Sequence, residues 1–441
     1  MRTVFKVLVG VVVFILTVQL LMRWDVVTQK QKLVPQPDHV ERKTLVKLEK
    51  ASKKPAGDGR TEERVETGGS VSDDKTSNDV DDKEDEDEAE MRRLESSPYI
   101  YNEKRERLKM SRPMVDRSIK YVTYLNLPGK EHKKQTFNDC QYSLCNYTTN
   151  LTLADAVLTY GSFVRTYDFP TFDRPPGQRW IFFNFDPAIK NYNLDREEVK
   201  SVFNWTLTYQ LSADIPVVYG LLGKYEPPFK DIDRIYDGKS KNVAWFVSHC
   251  NTWGLREVYV RRMSSVLPVD IFGDCGNLTC GAGYRFNDSA LCLPMLSREY
   301  KFYLAFENSF CKDYVTEKFF KLFKDVDIIP VVRGDFNYKK YLPSGIFVDA
   351  ADFSSPEELA RYLLELGADK KRYTEMLRRK NRWRYVPEAR LLCKVCEKLH
   401  TDQRTGHIES IKDKFNGSPS DCHEPTDLEH STESSSYLAI L

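Results

Sequence analysis

Excess charge of either sign is missing from these 441 residues: 66 lysines and arginines face 65 aspartates and glutamates, a formal net charge of +1. Nothing global attracts a polyanion, so nucleic acid is not an expected partner. Apolar residues are also scarce, at 41% of the chain, below the usual globular share. The shortage is uneven. From about residue 120 the chain is rich in Phe, Tyr and Val and able to bury a large core; the stretch between the N-terminal apolar run and that point is not. Zinc chemistry lacks its signature too, because Cys393-x-x-Cys396 has no second C-x-x-C pair to complete a ligand set. A thioredoxin-like context for a redox motif is absent as well. The ten cysteines are therefore expected in structural disulfides of an oxidising compartment, with Cys140, Cys145, Cys275, Cys280, Cys393 and Cys396 as candidates and the connectivity open.

What is present starts with Val4 to Met22, apolar except for Lys6, Thr17 and Gln19 and just long enough to span a bilayer as a helix. Gln19 to Arg23 lacks a small-x-small cleavage site, which favours a signal anchor over a cleaved peptide. Basic residues flank the run on both sides and do not orient it. Five sequons do, at Asn146, Asn150, Asn204, Asn277 and Asn287, since glycan acceptors place the folded part in the lumen. The expected organisation is a cytoplasmic tail over 1–3, a transmembrane anchor over 4–22, a disordered acidic stem over 23–118, two α/β domains over 119–236 and 237–400, and a largely disordered polar tail over 401–441. The acidic block Asp73 to Glu90 repels itself and stays extended, and Glu90 to Arg112 has the charge alternation of a marginal helix.

The chemistry is expected in Lys301 to Gly334. Lys301–Phe306 reads as a strand, Glu307, Asn308 and Ser309 end it, and Val315, Phe319, Leu322 and Phe323 recur at helical spacing behind Thr316 as N-cap. Ile328 to Val332 is a second strand. Strand, a helix of about three turns and strand predict a right-handed parallel βαβ unit whose ligand sits at the strand carboxyl ends, near the helix N-terminus. Tyr314, Glu317 and Lys318 lie there with Glu307 and Asn308. A lysine for phosphate, carboxylates for hydroxyls and an aromatic for stacking suit a sugar nucleotide; ordinary first-turn charges on a solvated face are the competing reading.

The run AFENS followed by DYVTEKFF and a strand ending PVV-x-G resembles the donor-site signature of the GDP-fucose α1,3-fucosyltransferases, glycosyltransferase family 10. The resemblance extends upstream through Arg179-Trp180, Phe203-Asn204-Trp205-Thr206, Ala244 to Ser248, Cys250 and Arg256, and downstream through Asp352-Phe353-x-x-Pro356 and Ala360 to Leu363, covering roughly residues 120 to 400. It implies a GT-B fold, two Rossmann-like domains facing a cleft, and an inverting enzyme of the Golgi membrane, single-pass type II with its catalytic part lumenal. It also implies that Arg256 and Lys318 meet the pyrophosphate, and that Tyr314 and Glu317, with Glu307 and Asn308 nearby, hold the rest of GDP-fucose. Where many relatives carry Glu-Ser-Pro after the Arg-Trp strand, this chain has Asp186-Pro187-Ala188. Asp186 is thus the aligned general base, one methylene shorter. The acceptor implied is N-acetylglucosamine of N-glycans. The wording from Tyr314 to Phe320, with Cys311 before it, is similar to invertebrate and core-type members; antennal, Lewis-type transfer is the alternative, and a catalytically inactive lumenal glycan-binding protein a third reading. No obligatory cofactor and no metal ligand set is expected, although Mn²⁺ stimulation is compatible; Asp231-Ile-Asp233 and Asp325-Val-Asp327 read as surface acids.

Overall fold

Six short runs build the first sheet: β1 (Lys120–Leu125), β2 (Cys145–Tyr147), β3 (Ala156–Tyr160), β4 (Arg179–Asn184), β5 (Trp205–Thr208) and β6 (Ile215–Pro216). Their order is β2-β1-β3-β4-β5-β6 and every pairing is parallel. After β7 (Leu221–Lys224), a second sheet follows with β8 (Lys241–Phe246), β9 (Val269–Phe272), β10 (Tyr300–Phe306), β12 (Ile329–Arg333) and β13 (Val348–Asp349), in the order β13-β12-β10-β8-β9 and again wholly parallel. Two antiparallel ribbons complete the strands: β11 (Phe310–Cys311) with β15 (Cys422–His423), and β7 with β14 (Trp383–Val386). This is a computed structural model, and it describes residues 88–125, 136–164, 173–188, 194–281, 289–416 and 421–428. The apolar run at 4–22, most of the stem and Asn287 lie outside the described residues. No helix among the described residues is long and apolar enough to cross a membrane.

Continuous apolar strands are what a parallel sheet covered on both faces demands. In β10 the alternation divides them: Phe302, Leu304 and Phe306 pack with Val258, Tyr259, Leu359 and Leu363 from two helices, Arg256–Met263 and Pro356–Ala368. Tyr303 and Ala305 face the opposite core, with Phe319, Phe320 and Leu322. The βαβ unit forms with β10 and β12 parallel neighbours, and Thr316 caps its helix by accepting from the Lys318 amide. The helix itself is shorter than expected, four residues (Glu317–Phe320) followed by one 3₁₀ turn (Lys321–Phe323). Phe319, Phe320, Leu322 and Phe323 of this short piece are all buried. Asp327 departs from the expected surface position: it is buried and accepts from Lys230 at 3.0 Å and Asn381 at 2.7 Å.

The ends of the chain cross over. The expected stem boundary is corrected because 88–96 and Glu103–Met110 are helical, and Leu94, Tyr99 and Ile100 enter the core of the second half. Tyr99 lies 4.7 Å from the Phe336 ring, and Leu222 and Tyr99–Tyr101 exchange backbone hydrogen bonds. Helix Leu391–Thr401, expected in the second domain, returns to the first half: Lys394 Nζ donates to the Pro216 carbonyl at 2.5 Å. Cys393 and Cys396 bond to Cys140 and Cys145, so the C-x-x-C motif is neither zinc site nor internal bridge. Cys250–Cys275, Cys280–Cys292 and Cys311–Cys422 complete the set, leaving no free thiol. The tail expected to be disordered is structured over 401–416 and 421–428, with Ile411, Phe415 and Leu428 buried.

Candidate functional site

Chain direction puts Phe306 and Asn184 at the carboxyl ends of β10 and β4, and the candidate residues lie just beyond them. Glu307 is fully buried. Its Oε1 accepts from the Thr316 amide and hydroxyl, both at 2.9 Å, and its Oε2 accepts from Lys318 Nζ at 2.9 Å. Lys318 Nζ donates also to Thr316 Oγ1 at 2.8 Å and lies 3.7 Å from Glu317. Both Glu307 oxygens are thus engaged within the protein, which makes it a holder of the Lys318 ammonium. The Thr316 amide at the helix start is likewise taken by Glu307.

Arg256 opens its helix behind Leu255, which holds a left-handed backbone at φ 46°. Its guanidinium donates from Nη1 to the Phe306 carbonyl at 2.9 Å and from Nη2 to the His249 carbonyl at 3.0 Å, over the Trp245 ring. Burial pushes the Arg256 pKa down while Glu307 and Glu257 oppose the shift. Burial also works against the Lys318 charge, but Glu307 and Glu317 outweigh it and its pKa ends above the ordinary value; Arg256 lowers it, so the two cations sense one another. Gly254 makes the approach possible. A Cβ there would come within 3.1 Å of the Asn308 carbonyl carbon, where the Gly254 amide donates to the Asn308 oxygen at 2.9 Å.

Asp186 arrives from the first half, with Oδ2 accepting from the Tyr160 hydroxyl at 2.5 Å and its carbonyl from Asn184 Nδ2 at 3.0 Å. A wall of tyrosines joins it to the second half. The Tyr219 hydroxyl donates to the Phe185 carbonyl, and the Tyr219 and Tyr209 rings meet Tyr314 edge-on at 6.3 and 4.8 Å. Burial first, then Glu317, Asp186 and Glu307, raise the Tyr219 pKa well above its ordinary value. Burial, then Tyr219, Glu307, Asp186 and Glu317, do the same for Tyr314. Asp186 of the first half and Glu307 and Glu317 of the second thus act on the same two tyrosines. Tyr314 is enclosed, with Tyr209 and Tyr219 packed edge-on against its ring. Arg256 Nε, Asn308 Oδ1, Ser309 Oγ and Tyr338 Oη are buried there without a hydrogen bond among the described residues.

Sequence reading missed Tyr160, Tyr209, Tyr219, Ser309, Tyr338 and Arg333. Only Arg333 had a local signal, filling the variable place of PVV-x-G. A cavity of about 540 Å³ lies elsewhere, lined by residues including Phe347, Val348, Asp349, Tyr362 and Arg372. Burial pushes the Asp349 carboxyl up to about 6, the Ala351 amide opposing and Asp352 adding. A carboxyl raised by folding costs stability once ionised, so the penalty grows from pH 3.8 to about 6 and is full above. Asp349→Asn, which keeps the capping bond, is expected to stabilise by up to about 3 kcal/mol at pH 7.5 and little at pH 4, read by denaturant unfolding at both.

The sequons also divide. Asn146, Asn150 and Asn277 are exposed. Asn204 is half-buried: its Nδ2 donates to the Gly406 carbonyl at 2.9 Å and its Oδ1 accepts from the Trp180 amide at 2.8 Å. Thr206 of the same sequon is buried against Asp214. Peptide mapping of secreted protein is expected to find glycan at the three exposed sites and none at Asn204.

Comparison with known proteins gives the chain its relatives. Residues 117–220 match the family model "Fucosyltransferase, N-terminal", and residues 236–414 match "Glycosyltransferase family 10 (fucosyltransferase) C-term". An alpha-(1,3)-fucosyltransferase C of Drosophila melanogaster is 35% identical over 53% of the chain and 57% of its own length. A bovine (Bos taurus) 3-galactosyl-N-acetylglucosaminide 4-alpha-L-fucosyltransferase is 35% identical over 62% of the chain and 74% of its own length. Drosophila melanogaster glycoprotein 3-alpha-L-fucosyltransferase A is 31% identical over 60% of the chain and 52% of its own length. The chain thus spans little more than half the length of these two fly proteins. A crystal structure of an alpha1,3-fucosyltransferase with GDP-fucose aligns over 60% of the chain and 82% of its own, at 18% identity and a TM-score of 0.41.

Proposed function

Because the chain belongs to glycosyltransferase family 10, the fucosyltransferases, we propose that it transfers L-fucose from GDP-fucose to the 3-hydroxyl of N-acetylglucosamine with inversion. What supports this reading is the Tyr219–Tyr314 wall, which joins the Phe185–Asp186 strand end of the first half to the β10 strand end of the second, where Arg256 holds the Phe306 carbonyl and Lys318 pairs with Glu307. Charge growing on the departing GDP falls to those cations, and a preorganised positive group in a dry corner needs no reorganisation at that moment. Glu307 and Thr316 hold the Lys318 ammonium in place. The Tyr160 hydroxyl holds one Asp186 oxygen and leaves the other to take the acceptor proton. The two parallel sheets play the donor and acceptor halves of a GT-B arrangement.

The acceptor assigned is N-glycan N-acetylglucosamine, with the core residue preferred, in keeping with the glycoprotein-modifying fly relative. Antennal transfer is the second reading, favoured by the bovine relative, which is 35% identical against 31% for that fly protein. The membrane anchor at 4–22 and a Golgi lumenal setting belong to the same proposal, and the five disulfides agree with an oxidising compartment. Radiolabelled GDP-fucose offered with defined N-glycans, with and without Mn²⁺, followed by product fragmentation in the mass spectrometer, tests all three readings. Label on the core identifies the first and label on the antenna the second, while no transfer under either condition leaves a binding protein.

A further inference from the structure

We propose that the C-terminal residues 401–416 and 421–428 form a strap that sets the geometry of the donor corner, with Asp427 a positioning residue acting through Arg333. The proposal rests on reading that corner as the GDP-fucose site. Arg333 ends β12 and is almost wholly enclosed, its guanidinium between the Tyr259 and Phe310 rings at 4.6 and 4.7 Å. A guanidinium so enclosed requires a counter-charge, and the tail supplies it: Nε and Nη2 donate to the two Asp427 oxygens, both at 2.7 Å. The third nitrogen, Nη1, donates to the Gly254 carbonyl at 2.6 Å, two residues before Arg256. The Arg333 carbonyl accepts the Glu307 amide at 2.9 Å. One arginine therefore ties together the loops after β8, β10 and β12, and Asp427 fixes that arginine.

The strap is attached at more than this point. Cys422 bonds to Cys311, β15 pairs with β11, and the Lys312 amide donates to the Asp421 carbonyl at 2.8 Å. Its earlier part grips the first half. Gln210 Nε2 donates to the Phe415 carbonyl at 3.0 Å, and the Phe415 ring packs on Phe182 at 5.2 Å and on Tyr209 at 6.3 Å. Tyr209 is the ring that meets Tyr314. Both walls of the corner thus lean on a segment whose composition marks it as dispensable.

Full-length Asp427→Asn tests this by GDP calorimetry, by initial rates with donor and acceptor varied, and by hydrogen exchange over 249–256 and 307–311. The dissociation constant for GDP and the KM for GDP-fucose are expected to rise about tenfold or more, because small displacements of positioned groups are costly. The acceptor KM should stay unchanged, exchange in both loops should quicken, and Asp427→Glu should restore most of the loss. C311S/C422S keeps the ion pair and cuts the other tie, and is expected to show the same donor-specific defect if the first variant does not fold. Unchanged GDP affinity and loop exchange in both variants would reduce the strap to stability alone and overturn the proposal. If the native chain binds no GDP, the donor reading fails, and loop exchange by itself decides whether the strap orders these loops.

Discussion

Asp186→Asn is expected to lower kcat by roughly 10²–10⁴-fold, the range a lost general base commonly costs, while leaving the KM for GDP-fucose within about threefold. An amide accepts no proton yet keeps the size of the side chain and can still receive the Tyr160 hydroxyl. The loss therefore isolates proton transfer from packing. Tyr160→Phe frees Oδ2 and removes the constraint on the carboxylate, so a smaller loss of about tenfold is expected from misorientation alone. Asp186→Glu tests the missing methylene directly. If this backbone already brings the shorter acid into place, the longer one overshoots by about 1 Å and loses around a hundredfold. An Asn variant keeping more than a third of the native kcat would move the base to another group.

Local pattern disclosed the elements that carry their own signature. Lys301–Phe306 and Ile328–Val332 were legible because an apolar run bounded by polar residues leaves little but a buried strand, and their parallel pairing followed from the short helix between them. Lys318 was found from the local strand–helix pattern and Arg256 through motif resemblance; the first pairs with Glu307 and the second with the Phe306 carbonyl beside it. The partners of Glu307 were not legible, for a physical reason. A carboxylate beside a sugar-nucleotide motif reads as a ligand, whereas its two partners, Thr316 and Lys318, lie nine and eleven residues on and become visible only once the loop closes. The tail was misjudged for another. Ile411, Phe415 and Leu428 are too sparse to show a period, and what orders them is non-local: Cys311 and Arg333, 111 and 94 residues away from Cys422 and Asp427. The stem's end repeats this, with Tyr99 and Ile100 docking on a core built mostly of residues beyond 218.

Lys318→Met is expected to cut kcat/KM for GDP-fucose by at least about 10²–10³-fold, in line with removal of one preorganised charge stabiliser, roughly 3–4 kcal/mol. A second consequence separates electrostatics from packing. Glu307, wholly enclosed, would lose the ammonium at 2.9 Å and remain as a buried charge facing only hydroxyl and amide donors. Removing one partner of such a pair typically costs about 3–5 kcal/mol of stability. Glu307→Gln on the native background leaves Lys318 charged but loosely held, so it should raise the donor KM more than it lowers kcat. The double variant E307Q/K318M removes the orphaned charge, and much of the lost stability should return while activity stays absent; non-additivity of that kind is the mark of a direct pair. pH gives an independent check. The Lys318 pKa is raised, so its stabilising contribution is fully present below the ordinary lysine value and is lost only as pH climbs through the higher folded one. Native kcat/KM should therefore show no alkaline fall from this group up to pH 9. Undiminished kcat/KM in Lys318→Met would remove the cation from the donor site, and with it the assignment of the corner.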